Sequence, residues 1–216
     1  MSDGLCGGAA TGLSQDTLEL IMRQLEIERK AVVEGDLLVR TRGPDPDDIA
    51  SVSVYQHGSA HLQLFGEDVS PDQRATLRRL GAARAFTDQR AVEAVIGPRE
   101  REHFRIYTFD RSAPAAGVVA EDNVWSLYHG EVLASRAFSS REGRRAAELA
   151  VETKPPFRRR GFARRVACAW ADAQLTQGRI AFYSHAVSNA ASQALATSLP
   201  VTERFEVVTY TALGRG

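Results

Sequence analysis

The chain is 216 residues long, enough for one large domain or two small ones. With 44% hydrophobic and 25% charged residues, its composition is that of an ordinary globular protein. Its 27 basic and 27 acidic residues cancel, so no overall field draws it to nucleic acid or to an anionic membrane.

Residues 1–13 are rich in glycine and alanine and read as a disordered tail. They carry neither the basic nor the hydrophobic segment of a secretory leader, and no apolar run in the chain nears the roughly 20 residues of a bilayer span. The expected location is therefore cytoplasmic. Ser14 caps a helix over 17–33, in which Leu18, Ile21, Met22 and Leu25 recur at helical spacing and Gly35 supplies the stop. A short strand follows at 37–40, then a turn at Gly43-Pro44-Asp45-Pro46. The runs 49–56 and 59–65 form a hairpin around His57-Gly58. Ser70-Pro71-Asp72-Gln73 supplies an N-cap, a proline at N1 and a glutamine at N3, opening a helix that ends near Gly81. A second helix is expected over 88–96, stopped by Gly97-Pro98, and a strand over 103–109. The Pro/Ala/Gly-rich linker 112–117 separates an N-terminal α/β region, 14–111, from a second region, 112–216.

In the second region, 124–129 and 131–139 read as strands joined at Gly130, followed by a polar loop over 140–145. The strand 147–153 alternates Leu149 and Val151 against Glu148, Ala150 and Glu152, and Pro155 and Pro156 stop it because neither can donate to a ladder. A helix begins near Phe162, carries Phe162, Val166, Ala169, Trp170 and Ala173 on one face, and ends at Gly178. A strand over 180–187, a helix from Ser188 or Asn189 to about Leu199, a break at Pro200 and a strand over 205–211 complete the chain. Cys6 lies in the tail and Cys168 in a helix, so no disulfide framework is expected, and Cys168 reads as a small buried hydrophobe. His57, His61, His103 and His129 lack metal-ligand spacing, and Trp125 and Trp170 read as core.

The organising stretch is the strand–loop–helix from Ala147 to Arg165. A helix N-terminus has four N–H groups without intrahelical partners and the positive end of the macrodipole. Gly161 removes the side chain at the turn and lets an anion approach the backbone, while Arg158, Arg159 and Arg160 add charge. The physics indicates a phosphate or pyrophosphate site. An arginine-rich solvated turn, or a weak nucleic-acid patch over 158–165, stands beside that reading. Because arginine supplies every basic side chain except Lys30 and Lys154, the run itself weighs less than its setting.

Arg158-x-x-Gly161-x-Ala163 resembles the R/Q-x-x-G-x-G/A loop of the GNAT acyltransferases, and the order of strands and helices around it, over 123–213, is similar to theirs. The resemblance implies an α/β (α+β) fold with a mixed, mostly antiparallel central sheet flanked by helices. The segment 14–111 resembles the N-terminal α/β region of two-part members. It also implies acetyl-CoA or another acyl-CoA as co-substrate, and no metal. In such a protein the backbone of Val151, Glu152 and Thr153 holds the pantetheine arm. Arg158, Arg159, Arg160, Gly161, Phe162, Ala163 and Arg164 hold the pyrophosphate. Asn189 and Ser192 complete the cofactor contacts, the plain alternative for Asn189 being a helix cap.

Acyl transfer from a thioester needs a base for the amine and a proton for the leaving thiolate. Glu148, ten positions before Arg158, falls where several members place a glutamate base; the alternative is a carboxylate that faces solvent. Glu152 shares its face and is the rival. The strand 180–187 is expected to splay from the central strand, with Tyr183, Ser184 and His185 at its end; Tyr183 and His185 are further catalytic candidates, His185 as a base or acid, and Tyr183, Ser184 or water are the sources of the acid. Two departures stand out. The tyrosine that protonates the thiolate in many members falls on Ala196 here, and the helix ends Leu199-Pro200-Val201. The resemblance thus implies an N-acyltransferase, most readily an acetyltransferase using a glutamate base directly or through water. The alternative is a non-catalytic acyl-CoA-binding or regulatory relative. The expected partner is a small-molecule or peptide amine acceptor, with no nucleic acid and no membrane, and a homodimer is left open.

Overall fold

The computed structural model describes residues 10–29, 31–40, 50–111 and 115–213. The turn at Gly43-Pro44-Asp45-Pro46, Cys6 and most of the expected tail lie outside them. The fold is mixed α/β, with mostly antiparallel strands flanked by helices. The chain divides into two compact units, Met1–Arg105 with Phe205–Gly216, and Ile106–Arg204.

In the first unit a two-residue strand, β1 (Ala10–Thr11), pairs with β5 and precedes helix α1 (Gln15–Arg29). The helix is shorter than the 17–33 expected. Ala31-Val32-Val33-Glu34 forms strand β2 (Ala31–Glu34) and pairs with β3 (Leu37–Arg40), because β-branched residues fit a pleated surface better than a helix turn. Gly35, read as the helix stop, is instead the left-handed residue of that hairpin turn, at φ 66°. Strands β4 (Val52–His57) and β5 (Ala60–Phe65) form the expected hairpin, with β4 starting three residues later than read and the turn, at Gly58-Ser59, one residue later.

Helix α2 (Pro71–Leu80) opens with both hydrogen bonds of the capping box between Ser70 and Gln73. Two short helices follow where one was expected: α3 (Ala82–Thr87), which the sequence pattern missed, and α4 (Gln89–Ile96), capped by Asp88. Strand β6 (Arg99–Phe109) starts four residues earlier than expected. The last strand, β12 (Val201–Ala212), pairs antiparallel with β4, giving the order β2-β3-β5-β4-β12 in this unit. Leu77, Ala85, Phe86, Val92 and Ile96 of the helices close over Val52, Val54, Phe65, Val208 and Tyr210. Tyr210 Oη, buried there, donates to Ala85 O at 2.6 Å, so the phenol keeps a partner in the core.

The second unit holds β7 (Val118–Glu121), β8 (Val124–His129), β9 (Val132–Glu142), β10 (Ala146–Thr153) and β11 (Ile180–Ala186) in the order β11-β10-β9-β8-β7. Strand β7 lies just past the linker read over 112–117, in a stretch to which the sequence pattern assigned no element. Strand β9 runs three residues further than expected, so the polar loop shrinks to 143–145. Helices α5 (Phe162–Thr176) and α6 (Ala190–Ser198) cover one face. Trp170, fully buried, is the centre of that core. It meets Phe109 edge to face at 6.2 Å, and its Nε1–H donates to Ser139 Oγ at 3.1 Å. Leu149 belongs to this core and Val151 packs on it, as the alternation requires.

Candidate functional site

Strand β10 sets the geometry of the site. It runs antiparallel to β9 along its length, with a register shift where Glu148 faces Arg141 and Leu149 faces Ser139, so that the extra residue, Ser140, lies on β9. Its parallel pairing with β11 covers only Ala146↔Ile180, Ala147↔Ala181 and Glu148↔Phe182. Both strands continue beyond that point, β10 to Thr153 and β11 to Ala186, without pairing to each other. The edge of Leu149–Thr153 that faces β11 therefore has no strand partner among the described residues, and extended backbone with unfilled hydrogen bonds is what an inserted polar chain requires.

Strand β10 ends in a 3-10 turn, Pro155–Phe157, and the chain then turns through Arg159 (φ 59°) and Gly161 (φ 78°), both left-handed. Gly161 is the N-cap of α5 and offers no side-chain cap. The first intrahelical bond runs from Arg165 N–H to Gly161 O at 3.2 Å, so the N–H groups of Phe162, Ala163 and Arg164 precede the ladder. A Cβ built on Gly161 meets nothing within 4 Å, which leaves open space over these donors.

The arginines divide by environment. Arg159 is exposed. Arg160 lies over the rings of Phe157 and Phe162, at 5.8 and 5.4 Å. Arg158 Nε reaches back to Thr153 O at 3.4 Å. Arg164 Nε donates to Ser198 O at 2.8 Å, and Arg165 to Ala116 O, so these two tie the helix to its neighbours. Of the arginines expected at the anion, Arg159 and Arg160 make no side-chain hydrogen bond or ion pair among the described residues. Ser192 and Asn189 meet as a helix cap: Asn189 Oδ1 accepts from Ser192 N–H at 3.1 Å.

Glu148 lies at the last paired residue, where the two strands part. It is 3% exposed, neither solvent-facing nor loosely lining a cleft. Its Oε2 accepts from Arg141 Nη1 at 3.2 Å, and its Oε1 accepts from Ser184 Oγ–H. Glu152, the rival base, is exposed and paired with Arg136 at 2.7 Å. The register explains the grouping. Glu148 is level with Phe182, so Phe182 and Ser184 share its face, while Ala181, Tyr183 and His185 point to the α5 side. The three catalytic candidates are thus divided between the two faces of the splay. Tyr183 Oη donates to Ser192 O at 3.2 Å, and burial pushes its pKa up. His185 is buried and stacks on Tyr107 at 5.5 Å; its Nδ1 lies 3.0 Å from Ala186 O, and its Nε2 has no hydrogen-bond partner among the described residues. Ala196, the position implied for a tyrosine acid, is buried in the α5–α6 core.

Arg141 and Ser184, as partners of Glu148, were not identified from the sequence. Arg141 was placed in a loop, because Ser140-Arg141-Glu142 has no apolar alternation to mark it as strand. A recess of about 400 Å³ opens beside this group, lined by Asp122, Asn123, Arg136, Phe138, Arg141 and Glu142. Cys168 is buried, and burial raises its thiol pKa, as expected of a core residue rather than a nucleophile. The described residues contain no cluster of three metal-ligating side chains, and no helix among them is long and apolar enough to cross a membrane.

Residues 124–210 match the family model described as GNAT acetyltransferase. No curated protein matches the chain. Among solved structures, a putative GNAT-family acetyltransferase from Novosphingobium aromaticivorans is 18% identical over 53% of this chain and 66% of its own, with a TM-score of 0.44. A GNAT-family acetyltransferase from Colwellia psychrerythraea is 13% identical over 59% of this chain and 63% of its own, at 0.45. A GCN5-related N-acetyltransferase from Sphaerobacter thermophilus is 12% identical over 89% of this chain and 84% of its own, at 0.46. The match therefore spans 66% and 63% of the first two structures' length. The likeness to the GNAT acetyltransferases therefore rests on the family model and on the segment it covers, residues 124–210, less than half of the chain.

Proposed function

We propose that the protein is an N-acyltransferase that moves an acetyl group from acetyl-CoA to an amine by direct transfer. The observation that carries this reading is the end of β10–β11 pairing at Glu148↔Phe182, which leaves the backbone edge of Leu149–Thr153 open directly before the left-handed turn at Gly161. An acyl-CoA laid along that edge meets backbone hydrogen-bonding groups at its amide-bearing arm and N–H groups at its pyrophosphate. Positioning of this kind supplies much of the rate in acyl transfer. Val151, Glu152 and Thr153 take the arm. The N–H groups of Phe162, Ala163 and Arg164, with the side chains of Arg159 and Arg160, take the pyrophosphate. Glu148, at the point of divergence, takes the amine proton. His185, whose Nε2 is unfilled, and Tyr183, whose raised pKa keeps it protonated, are the side chains from which a proton can reach the leaving thiolate. The cytoplasmic location read from the sequence belongs to the same proposal.

A second reading, an acyl-CoA-binding protein without turnover, draws on Ala196, where the acid position is filled by core alanine. A thiol-release assay with acetyl-CoA over a panel of small amines and peptides decides between them. Turnover on any amine supports the enzyme. Calorimetric binding of CoA with no turnover on any amine supports the second reading, and absence of CoA binding removes both.

A further inference from the structure

Glu148 is poorly placed to touch an amine by itself. It is 3% exposed, and both of its oxygens are engaged, one by the Arg141 guanidinium on β9 and the other by the Ser184 hydroxyl on β11. Arg141 is exposed, and of the two groups that can carry a proton here Ser184, only partly buried, is more accessible than Glu148. It stands on the unpaired stretch of β11, two residues beyond the last residue paired with β10 and on the same face as Glu148. A serine hydroxyl has one hydrogen and two lone pairs, so while it donates to Glu148 it can still accept a proton from a third group. The Arg141–Glu148 pair keeps the carboxylate oriented with Oε1 toward the hydroxyl, and Arg136 with Glu152 continues the charged row along the same face.

We infer that Ser184 is the residue that contacts the acceptor amine and relays its proton to Glu148; the inference rests on the proposed base role of Glu148. In the step, the neutral amine nitrogen attacks the thioester carbonyl and forms the C–N bond. The nitrogen of the tetrahedral intermediate gives a proton to Ser184 Oγ as the serine's own hydrogen passes to Glu148 Oε1. The C–S bond then breaks, its electron pair leaves on sulfur, and the resulting thiolate takes up a proton. Serine ends unchanged, and Glu148 holds the proton until solvent takes it.

The test compares Ser184→Ala, Ser184→Thr and Glu148→Gln in the full chain, using acetyl-CoA and the best amine of the panel. Ser184→Ala should lower kcat/KM for the amine by about 10²-fold, the usual contribution of a placed proton-transfer group, with KM for acetyl-CoA unchanged. Ser184→Thr keeps a hydroxyl and should keep most of the rate. In mixtures of light and heavy water, the wild-type rate should fall along a bowed curve, the mark of two protons in flight, and the Ser184→Ala rate along a straight line. Ser184→Ala with wild-type kinetics beside a slow Glu148→Gln would overturn the relay and leave the glutamate base standing. A slow Ser184→Ala that retains the bowed curve would assign the serine a merely structural bond and overturn the relay as well. Wild-type kinetics in both variants, or no amine acetylated at all, would remove the base reading and the relay together.

Discussion

Replacing Gly161 by valine separates a backbone effect from a ligand effect. Gly161 sits at φ 78°, a left-handed conformation that costs an L residue about 1–2 kcal/mol. No crowding adds to this, because a Cβ there meets nothing within 4 Å. For a chain of this size, 1–2 kcal/mol corresponds to a fall in Tm of about 2–8 °C, so the variant should fold. The ligand meets a larger penalty. On the proposed reading the pyrophosphate approaches the N–H groups of Phe162, Ala163 and Arg164 directly after this residue, and a branched side chain at the turn holds it away from them. CoA affinity should fall at least tenfold, about 1.4 kcal/mol. Gly58→Val is the control: Gly58 is also left-handed, at φ 58°, with open space at its Cβ, but it lies in the β4–β5 turn of the other unit. It should lose similar stability and no affinity. Calorimetry with CoA, paired with thermal unfolding, reads both quantities. Unchanged affinity in a folded Gly161→Val protein would show that the pyrophosphate does not bind on this turn, and equal losses in both variants would attribute the effect to stability alone.

Glu148→Gln keeps the size of the side chain but removes the basic oxygen; kcat should fall by about 10²-fold or more with CoA affinity nearly unchanged, and the deficit should shrink as pH rises and more of the amine is free. Near-wild-type kcat at pH 7 would place the base elsewhere. Trp170→Ala removes a fully buried indole from the core under α5 and should cost about 3–5 kcal/mol in denaturant unfolding, a loss below 1 kcal/mol refuting its central place in the packing. Asp88, the N-cap of α4, has its pKa lowered first by the Ala91 N–H it accepts and then by Arg84. Because the folded value is the lower one, its contribution is full above about pH 4 and fades as pH falls through the folded value, so Asp88→Asn should flatten the acid limb of the stability curve. An unchanged acid limb would show that this carboxylate does not contribute to it.

Local signals carried well where the sequence holds explicit punctuation. Ser70 to Gln73 forms the capping box read from its spacing, Pro155 ends β10, and Asn189 caps α6. The loop of Gly161 needed only glycine, flanking charge and a strand before it. Errors arose where one residue type has two uses. Gly35 serves a hairpin turn as readily as a helix stop, and Val32 and Val33, which continue an apolar periodicity in sequence, take the extended form because β3 offers them a partner. The missed features depend on register. Nothing local to Arg141 or Ser184 links either to Glu148; the link follows from the direct Glu148↔Arg141 register with β9 and from the level of Glu148 with Phe182 across the parallel pair. Glu148 itself came from the resemblance, as the position ten before Arg158 where members place a glutamate, whereas its burial was not legible, since an alternating strand states which face a residue takes but not what covers that face.

The bulge and the end of pairing fall at the same residue, and that coincidence orders the site. A bulge bends its strand and increases its local twist. Here the extra residue is Ser140 on β9, opposite the step from Glu148 to Leu149, and β10 parts from β11 at that same step. The carboxylate at that point is then fixed from both sides, by Arg141 from the strand that stays paired and by Ser184 from the strand that leaves. A buried carboxylate is costly unless both oxygens are bonded. The Ser184 bond therefore satisfies a charge and also spans the mouth of the opening into which a thioester is proposed to enter. A purely structural clamp would need no opening beyond it. The bond and the opening together, where β10 and β11 part, suit a carboxylate that takes a proton through the hydroxyl beside it when an amine arrives there.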